Sequence, residues 1–249
     1  MQDEINLNRL DKEQLAIALN EQSRREKENQ LYTYFKDSGP LARDKYIKAL
    51  MFFKAGKHYK ERALIASNRS GKSLTASWEM ALHLTGLYDD FPWWDGKVFD
   101  TPIQAWSIGK THETTRDILQ RYLLGPKHDI GTGLIPKDKI IRFTSKPGTP
   151  DAIQDVYIRH ASGGISELTF KSYVQEVDAF MGTSRHVIHM DEEPDNANIY
   201  SECLTRTMTT DGIIMCTFTP LHGLSEVVLS FLPGGKFPPN GYGEVRPYD

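Results

Sequence analysis

Residues 61–88 have the sequence ERALIASNRSGKSLTASWEMALHLTGLY, which predicts a strand, a loop and a helix in that order. The short apolar run at residues 62–66 is typical of a buried strand. Apolar side chains recur through residues 74–87 at a spacing that predicts a helix. Between the two elements, residues 66–73 match the phosphate-binding pattern G-x-x-x-x-G-K-[ST], with Ala66 in place of the first glycine.

The matched loop has the chemistry of a nucleotide-phosphate site. A tight turn points successive backbone N–H groups inward, and the following helix directs the positive end of its dipole toward the same anion. Gly71 lets a phosphate approach the backbone closely, Lys72 reaches the β- and γ-phosphates, and the Ser73 hydroxyl is a magnesium ligand. A chance match in an unrelated turn is the alternative, which the flanking elements disfavour. The predicted nucleotide-binding residues are Ser67, Asn68, Arg69, Ser70, Gly71, Lys72 and Ser73.

A second predicted strand ends in two carboxylates. Residues 186–190 have the apolar character of a buried strand, and Asp191 and Glu192 follow it directly. In P-loop enzymes an Asp at this point binds magnesium, and the next carboxylate can take a proton from the attacking water. Such a pair is a weak signal alone and a strong one beside a phosphate loop. The sequence therefore predicts ATP hydrolysis with Mg²⁺. Ser73 and Asp191 would be the metal ligands, and Lys72 and Glu192 would be catalytic.

Strands and helices alternate along the rest of the chain. The pattern adds four strands, at residues 103–109, 156–160, 165–170 and 212–218, and two helices, at residues 43–55 and 111–124. The two middle strands flank the sequence ASGG, a hairpin signal, and residues 125–150 have the Gly, Pro and Lys content of a loop. This alternation predicts an α/β fold with a mainly parallel central sheet flanked by helices and an added antiparallel hairpin.

Two hydroxyl side chains lie at the end of the last predicted strand, in the sequence Thr217-Phe218-Thr219. A hydroxyl at the end of a strand beside the catalytic one can sense the γ-phosphate and pass its state to a neighbouring element. A simple Thr-Pro turn explains the same residues equally well. The segment is a candidate for coupling, with the turn as an open alternative.

Hydrolysis of a phosphoanhydride also needs positive charge on the developing oxyanions beyond that of the loop lysine and the metal. Arg69 lies inside the phosphate loop and is the first candidate for a catalytic arginine. Arg206, on a predicted helix, and Arg116 are the second and third candidates. For these two, an ordinary ion pair is the favoured role.

The composition is that of a globular protein without a broad basic surface. The chain has 249 residues, a net charge of −3 and a pI of about 6.3, so any contact with nucleic acid is expected to be local or to be supplied by a part outside this chain. Its two cysteines, Cys203 and Cys216, are too few for a disulfide framework, and with His186 and His189 they lack the spacing of a metal site. No apolar run is long enough to span a membrane, and the polar N-terminus is not a signal peptide.

The motifs resemble those of one protein family. The resemblance runs from about Tyr32 to the end of the chain, through ERALIASNRSGKS, HMDEEPDNANIYSECLTRT and IIMCTFTPLHGLSEVV. In this combination they are similar to the ATPase domain of the large terminase subunit, the genome-packaging motor of tailed double-stranded-DNA bacteriophages, and most of all to that of short-tailed phages. The resemblance implies a P-loop NTPase of the additional-strand, catalytic-glutamate type.

The resemblance also implies roles for single residues. Lys72 and Ser73 match the residues that bind phosphate and magnesium. Asp191 matches the metal-binding Asp of the family, and Glu192 matches its catalytic Glu. Arg69 matches a loop arginine that some members have.

A further match concerns the movement of DNA. Residues 217–221 match the motif that couples hydrolysis to DNA movement in the family, and its first three members here are Thr217, Phe218 and Thr219. Many relatives recognise adenine with a Gln upstream of the phosphate loop. Near Ala49, where that Gln is expected, this chain has none, so the mode of adenine recognition stays open.

The polar N-terminal stretch, with its sparse apolar residues, predicts a helical arm at residues 1–40, for which a solvated surface helix is favoured over a docking arm. The resemblance implies an ATPase core at residues 41–232 and a tail at residues 233–249 that leads to a nuclease domain outside this chain. The implied partners are double-stranded DNA, the small terminase subunit, the portal protein of the procapsid, and further copies in a ring on the portal. The implied location is the host cell cytoplasm, without a membrane.

Two other functions remain as alternatives. A helicase-like DNA-dependent ATPase fits the DEEP sequence, but helicases usually need a second motor domain. A nucleotide-dependent switch with little turnover is the other, although the guanine-binding NKxD sequence of GTPase switches is missing.

Overall fold

The computed structural model describes residues 14–17, 19–20, 29–219, 225–232 and 235–236. The strands within them are β1 Glu61–Ile65, β2 Gln104–Gly109, β3 Ile140–Ser145, β4 Ile153–Arg159, β5 Ile165–Ser172, β6 Val187–Asp191 and β7 Ile213–Phe218. They form one sheet in the spatial order β1-β7-β6-β2-β5-β4-β3.

Helices cover both faces of the parallel part of this sheet. The α-helices are α1 Ile47–Ala55, α2 Lys72–Thr85, α4 Ala197–Thr207 and α5 Glu226–Ser230. A further helical segment, α3, comprises α-helical His112–Thr114, π-helical Thr115–Gln120 and α-helical Arg121–Leu124. Short 3₁₀ segments are Gln30–Tyr32, Arg43–Lys45, Tyr88–Asp90, Lys127–Asp129, Lys137–Lys139 and Val177–Phe180.

Five neighbouring strands run parallel, so their C-terminal ends share one edge of the sheet. β1 pairs with β7, β7 with β6, β6 with β2, and β2 with β5. β4 and β3 continue the sheet in antiparallel pairing beyond β5. Because β7 lies between β1 and β6, the loop after β1 and the carboxylates that end β6 lie at the same edge, one strand apart. This inserted strand confirms the predicted fold class.

The core lies on both faces of the central strands. All residues of β6 are buried, as expected for a central parallel strand covered on both faces. Val187 packs in the cluster that contains α2, whereas Ile188 and Met190 pack in a second cluster with α4 and α5. The alternation of side chains along a strand produces this division. It places His189 and Asp191 on the same face as Val187, toward α2.

An aromatic segment packs over the outer side of α2. Trp93 and Trp94 lie in a predicted loop, and the sequence alone does not decide whether they cover a core or contact a partner. The Trp93 ring lies 5.5 Å from the ring of fully buried Trp78, and the Trp94 ring lies 5.3 Å from that of Phe53. Both tryptophans therefore cover the core.

A buried ion pair joins β1 to α2. The guanidinium of Arg62 donates to the Glu79 carboxylate at 2.7 Å, and His83 Nε2 lies 3.2 Å from the same carboxylate. Burial alone would raise the pKa of Glu79, but the charge of Arg62 and the hydrogen bond with His83 reverse this, so the pKa lies below its ordinary value. Arg62 also donates to the carbonyl of Phe52, which ties the end of α1 to the pair.

The structure differs from the sequence-based predictions at several places. β1 lies one residue earlier than predicted, and β4 begins three residues earlier and ends one residue earlier. Residues 140–145, within the predicted loop, form the edge strand β3, whose mostly exposed side chains give no signal of burial. The antiparallel addition is therefore larger than a hairpin. Residues 43–45 form a 3₁₀ turn instead of the start of α1, because Tyr46 leaves the helical backbone conformation. The strand predicted at residues 186–190 is one residue later and includes Asp191.

Much of the predicted N-terminal arm and most of the predicted C-terminal tail lie outside the described residues. Residues 29–40 of the arm are described, however, and Leu31 and Phe35 there are buried in the core. Of the arm, residues 14–17 and 19–20 are helical, and Leu15, Ile17 and Leu19 are exposed there. No helix in the described part of the chain is long and apolar enough to cross a membrane.

We expect Glu79→Ala to destabilise the fold strongly. The substitution leaves the Arg62 guanidinium buried without its carboxylate partner, which typically costs about 3–5 kcal/mol. Urea unfolding followed by circular dichroism measures the change in the free energy of unfolding. The control is Glu202→Ala, which removes a partly exposed pair with Arg206 and should cost about 1 kcal/mol or less. Equal losses for the two variants would contradict the structural role of the buried pair.

Candidate functional site

The phosphate loop connects β1 to α2 at the edge where the parallel strands end. Gly71 precedes the first residue of α2 and has φ of 85°, a left-handed conformation that favours glycine. Apart from its chain neighbours, no atom of the described residues lies within 4 Å of the position where a Cβ would be, so the protein itself requires glycine here for its backbone conformation. Arg69 also has a left-handed backbone, with φ of 61°. The predicted residues 67–71 are exposed, as a loop that receives a ligand must be.

Lys72 lies at the base of the loop and contacts two oxygen atoms of the protein. Its ammonium donates to the Ser67 carbonyl at 2.9 Å and to Thr219 Oγ1 at 2.9 Å. The Thr219 hydroxyl also lies 2.8 Å from Asn68 Oδ1 and 3.0 Å from the Ala66 carbonyl. Thr219, which directly follows β7, therefore joins that strand to the phosphate loop.

Asp191 at the end of β6 meets the start of α2. Ser73 Oγ donates to Asp191 Oδ1 at 2.6 Å, and Thr217 Oγ1 donates to the same oxygen at 2.7 Å. Burial raises the pKa of Asp191, and the two hydroxyl donors and the Lys72 charge oppose that rise. The site thus brings together the two residues that the sequence predicts as metal ligands.

Hard oxygen donors of this kind fit Mg²⁺. In the described part of the chain no group of three His, Cys, Asp or Glu side chains could hold a metal ion by itself. Mg²⁺ commonly takes one or two protein oxygens and completes its shell with substrate phosphates and water. The Ser73 hydroxyl and the Asp191 carboxylate fit this mode of binding.

His189, whose spacing in the sequence does not indicate a metal site, contacts this site. His189 Nε2 lies 2.8 Å from Thr217 Oγ1, and burial lowers the pKa of His189 to about 3, so the ring is neutral. Because Thr217 donates its single hydroxyl proton to Asp191, Nε2 must carry the hydrogen of the ring. His189 therefore fixes the direction of the Thr217 hydroxyl. The signal in the sequence was its spacing of two from Asp191 within one strand.

Glu192 follows Asp191 in an unusual backbone conformation. Its φ is 61°, its N–H donates to the Thr217 carbonyl at 2.8 Å, and its carbonyl accepts from the Tyr173 hydroxyl at 2.9 Å. Burial and the neighbouring Asp191 raise the pKa of the Glu192 carboxyl, while a hydrogen bond from the Thr219 backbone and the charges of Lys72 and Lys110 lower it. A raised pKa suits a carboxylate that must accept a proton.

The other predicted residues divide between the site and the rest of the fold. Thr217 and Thr219 contact the site, whereas Phe218 is fully buried on the opposite face and packs 6.2 Å from the ring of Phe231. Residues 220 and 221 of the coupling segment lie outside the described residues.

Two of the three candidate arginines are engaged elsewhere. Arg206 is in the last turn of α4, where its side chain pairs with Glu202 and its carbonyl accepts from Arg185, just before β6 begins. It therefore lies at the edge opposite the phosphate loop, because α4 runs away from the site, and its pairing with Glu202 agrees with the favoured role of an ordinary ion pair. Arg116 donates to Asp117 and to the Pro150 carbonyl, so of the three only Arg69 belongs to the loop.

Together, this strand order and these contacts define a P-loop NTPase with an added strand between the phosphate loop and the acidic strand. The family model described as terminase large subunit, T4likevirus-type, N-terminal, matches residues 63–239. The chain belongs to this family, as its motifs predict.

Individual relatives agree with the family. The terminase large subunit of Salmonella phage P22 is 38% identical over 205 residues, which are 75% of this chain and 41% of that protein. The chain thus spans less than half the length of this relative. A mutant of the large terminase ATPase domain of Thermus phage P74-26 is 17% identical, with 76% of this chain and 73% of that one covered and a TM-score of 0.48. The large terminase of a thermophilic bacteriophage in complex with ATP-γ-S is 15% identical, with 70% and 37% covered and a TM-score of 0.44.

We expect Lys110→Ala to raise the pKa of the Glu192 carboxyl further. Lys110 is one of the cations that lower this pKa, so its removal leaves burial and Asp191 less opposed. Titration of ¹³C-labelled glutamate by NMR measures the change, and the signal that is lost in Glu192→Gln identifies the residue. Lys127→Ala, which removes a cation paired with Asp151, is the control and should leave the value unchanged. A Glu192 pKa below the ordinary 4.5 would contradict the described environment.

Proposed function

We propose that this chain binds ATP and Mg²⁺ and hydrolyses ATP, as the ATPase part of a motor that moves double-stranded DNA into a viral procapsid. The observation that carries the proposal is the meeting of Lys72, Ser73, Asp191 and Glu192 at one edge of the sheet. Membership of the terminase family supports the motor function, and a nucleotide analogue bound to one relative supports ATP as the ligand.

The loop would bind the phosphates in place of its present internal contacts. Backbone N–H groups of residues 67–73 and the N-terminal end of α2 attract the anion. Lys72 would leave the Ser67 carbonyl and the Thr219 hydroxyl for phosphate oxygens, which are stronger acceptors because they carry charge. Ser73 and Asp191 would hold Mg²⁺, which supplies positive charge to the phosphate oxygens.

Glu192 would act as the general base. The carboxylate takes a proton from water, the water oxygen forms a bond to the γ-phosphorus, and the bond from that phosphorus to the bridging oxygen of ADP breaks. Lys72 stabilises the charge that develops on the phosphate oxygens. Arg69 is the remaining arginine candidate, and we expect it to act within its own subunit because it belongs to the phosphate loop.

Thr217, Phe218 and Thr219 would couple the nucleotide state to movement. Thr219 contacts Lys72 through its hydroxyl and Glu192 through its backbone N–H, so the arrival of a γ-phosphate would change both contacts. The adjacent Phe218 packs against Phe231, beyond α5. A displacement of Thr219 at the site would move the adjacent Phe218 and so reach the far face of the sheet.

The partners follow from the family and from charge. We propose double-stranded DNA, the small terminase subunit and the portal protein as partners, in the host cell cytoplasm, with several copies arranged in a ring on the portal. With a net charge of −3, one copy neutralises few DNA phosphates, and a ring adds the contacts of several copies. The arm at residues 1–40, the core at residues 41–232 and the tail at residues 233–249 toward a nuclease domain remain part of this proposal.

Glu192→Gln should retain ATP binding and lose hydrolysis. The amide has nearly the same shape and cannot take a proton, and the loss of a general base typically slows a reaction by about 10²–10⁴-fold. Lys72→Ala should lose both hydrolysis and much of the affinity. Phosphate release measures hydrolysis, and titration with a fluorescent ATP analogue measures the affinity for nucleotide. The control is the adjacent Glu193→Gln, which should keep most of the activity. Full turnover by Glu192→Gln would refute its role as the base.

Double-stranded DNA should accelerate ATP turnover when the chain is assembled on a ring-shaped viral docking protein. A motor couples hydrolysis to its track, and the weak grip of single copies becomes strong only when they act together. Phosphate release is compared with and without DNA, at low and at high salt, with Lys72→Ala as the inactive control. The stimulation should fall as salt rises. Turnover that does not respond to DNA would favour a nucleotide switch over a motor.

A further inference from the structure

The proposed general base has a strained backbone. Glu192 has φ of 61°, a left-handed conformation that brings the Cβ of an ordinary residue too close to its own carbonyl oxygen. Residues that carry a Cβ keep such a conformation only where neighbouring groups fix it, and these places are concentrated at functional sites. The groups that fix Glu192 therefore decide where its carboxylate points.

Two hydrogen bonds hold the backbone of Glu192, one at each end of the residue. Its N–H donates to the Thr217 carbonyl at 2.8 Å, which continues the pairing of β6 with β7. Its carbonyl accepts from the Tyr173 hydroxyl at 2.9 Å. The first bond is a backbone contact that any residue at position 217 would make, whereas the second depends on one particular side chain.

Tyr173 reaches Glu192 from two strands away. It directly follows β5, and β2 lies between β5 and β6. Its own N–H donates to the Gly109 carbonyl at 3.0 Å, at the end of β2, and its ring is 8% exposed in the cluster that includes Trp106 and Phe180. The backbone and ring of Tyr173 are thus fixed independently of Glu192, so its hydroxyl is a rigid donor.

We propose that Tyr173 is a positioning residue for ATP hydrolysis, whose hydroxyl keeps Glu192 in the left-handed conformation that directs its carboxylate toward the attacking water. This inference rests on the proposed role of Glu192 as the base. Tyr173 touches no reacting atom and acts only through the Glu192 backbone. Without its hydroxyl, the Glu192 carbonyl loses a donor in a half-buried position, and the residue is free to relax toward an ordinary conformation.

Tyr173→Phe tests this role, because it removes the hydroxyl and keeps the buried ring. Single-turnover hydrolysis isolates the chemical step from product release. We expect that rate to fall about tenfold, the effect of losing one hydrogen bond that orients a reacting group. Affinity for a fluorescent ATP analogue and the thermal midpoint should change little. A rate equal to that of the unsubstituted chain would overturn the proposal.

A matched control separates positioning from packing. Tyr200 is also a buried tyrosine of the same cluster, and its hydroxyl donates to Glu61 at the start of β1, away from the site. Tyr200→Phe should leave the single-turnover rate unchanged. Equal slowing by both substitutions would assign the effect of Tyr173 to packing and would overturn the proposal.

The double variant shows whether Tyr173 acts through Glu192. In a Glu192→Gln background the general base is already absent, so adding Tyr173→Phe should slow hydrolysis no further. If the double variant is slowed by the product of the two single factors, Tyr173 acts by a route other than Glu192, and the proposal is overturned. If Glu192→Gln alone hydrolyses ATP at the original rate, the proposed role of Glu192 fails first, and that failure is distinct from a failure of Tyr173.

Discussion

The hydrogen bond from Ser73 to Asp191 is the contact on which the candidate site depends. It joins the first turn of α2 to the end of β6, across the strand β7 that lies between β1 and β6. Neighbouring strands lie about 4.8 Å apart, so the two motifs are separated by about 10 Å of sheet. That distance leaves room above β7 for phosphates and a metal ion, while the Ser73 side chain still reaches the carboxylate.

The same arrangement requires polar groups in the core beneath the loop helix. Toward α2 the sheet presents His189, Asp191 and Thr217, joined by hydrogen bonds of 2.8 and 2.7 Å. Burial of such groups is unfavourable unless they have partners. The neutral imidazole of His189 satisfies Thr217 through Nε2 without adding charge, although its Nδ1 has no hydrogen-bond partner among the described residues. The Arg62–Glu79 pair lies under the same helix and keeps its charges balanced. The position of α2 is therefore defined by polar contacts as well as by apolar packing.

The sequence alone predicts those features that depend on residues close together in the chain. The phosphate loop, the pair Asp191-Glu192 and the alternating strands follow from local patterns, and the structure confirms the fold that they predict. Contacts between distant residues gave no signal, since Tyr173 and Glu192 are 19 positions apart and His189 and Thr217 are 28 apart. β3 was missed because an exposed edge strand lacks the apolar pattern of a buried one. The distance of Arg206 from the site depends on the direction of α4, which spacing alone does not give.

Lys72 and Glu192 both contact Thr219, so a change at one of them can affect the other. Thr219 accepts from the Lys72 ammonium through its hydroxyl and donates to the Glu192 carboxylate through its backbone N–H. A γ-phosphate would draw Lys72 away from Thr219, and the Thr219 hydroxyl would keep only its contacts with the loop itself. Glu192 cannot follow such a change freely, because its backbone is fixed by Tyr173 and by β7. We infer that the hydrogen bonds from Tyr173 and to β7 keep the base in place against its backbone strain, while the segment after β7 responds to the nucleotide. Catalysis and movement would then depend on different residues around the same phosphate.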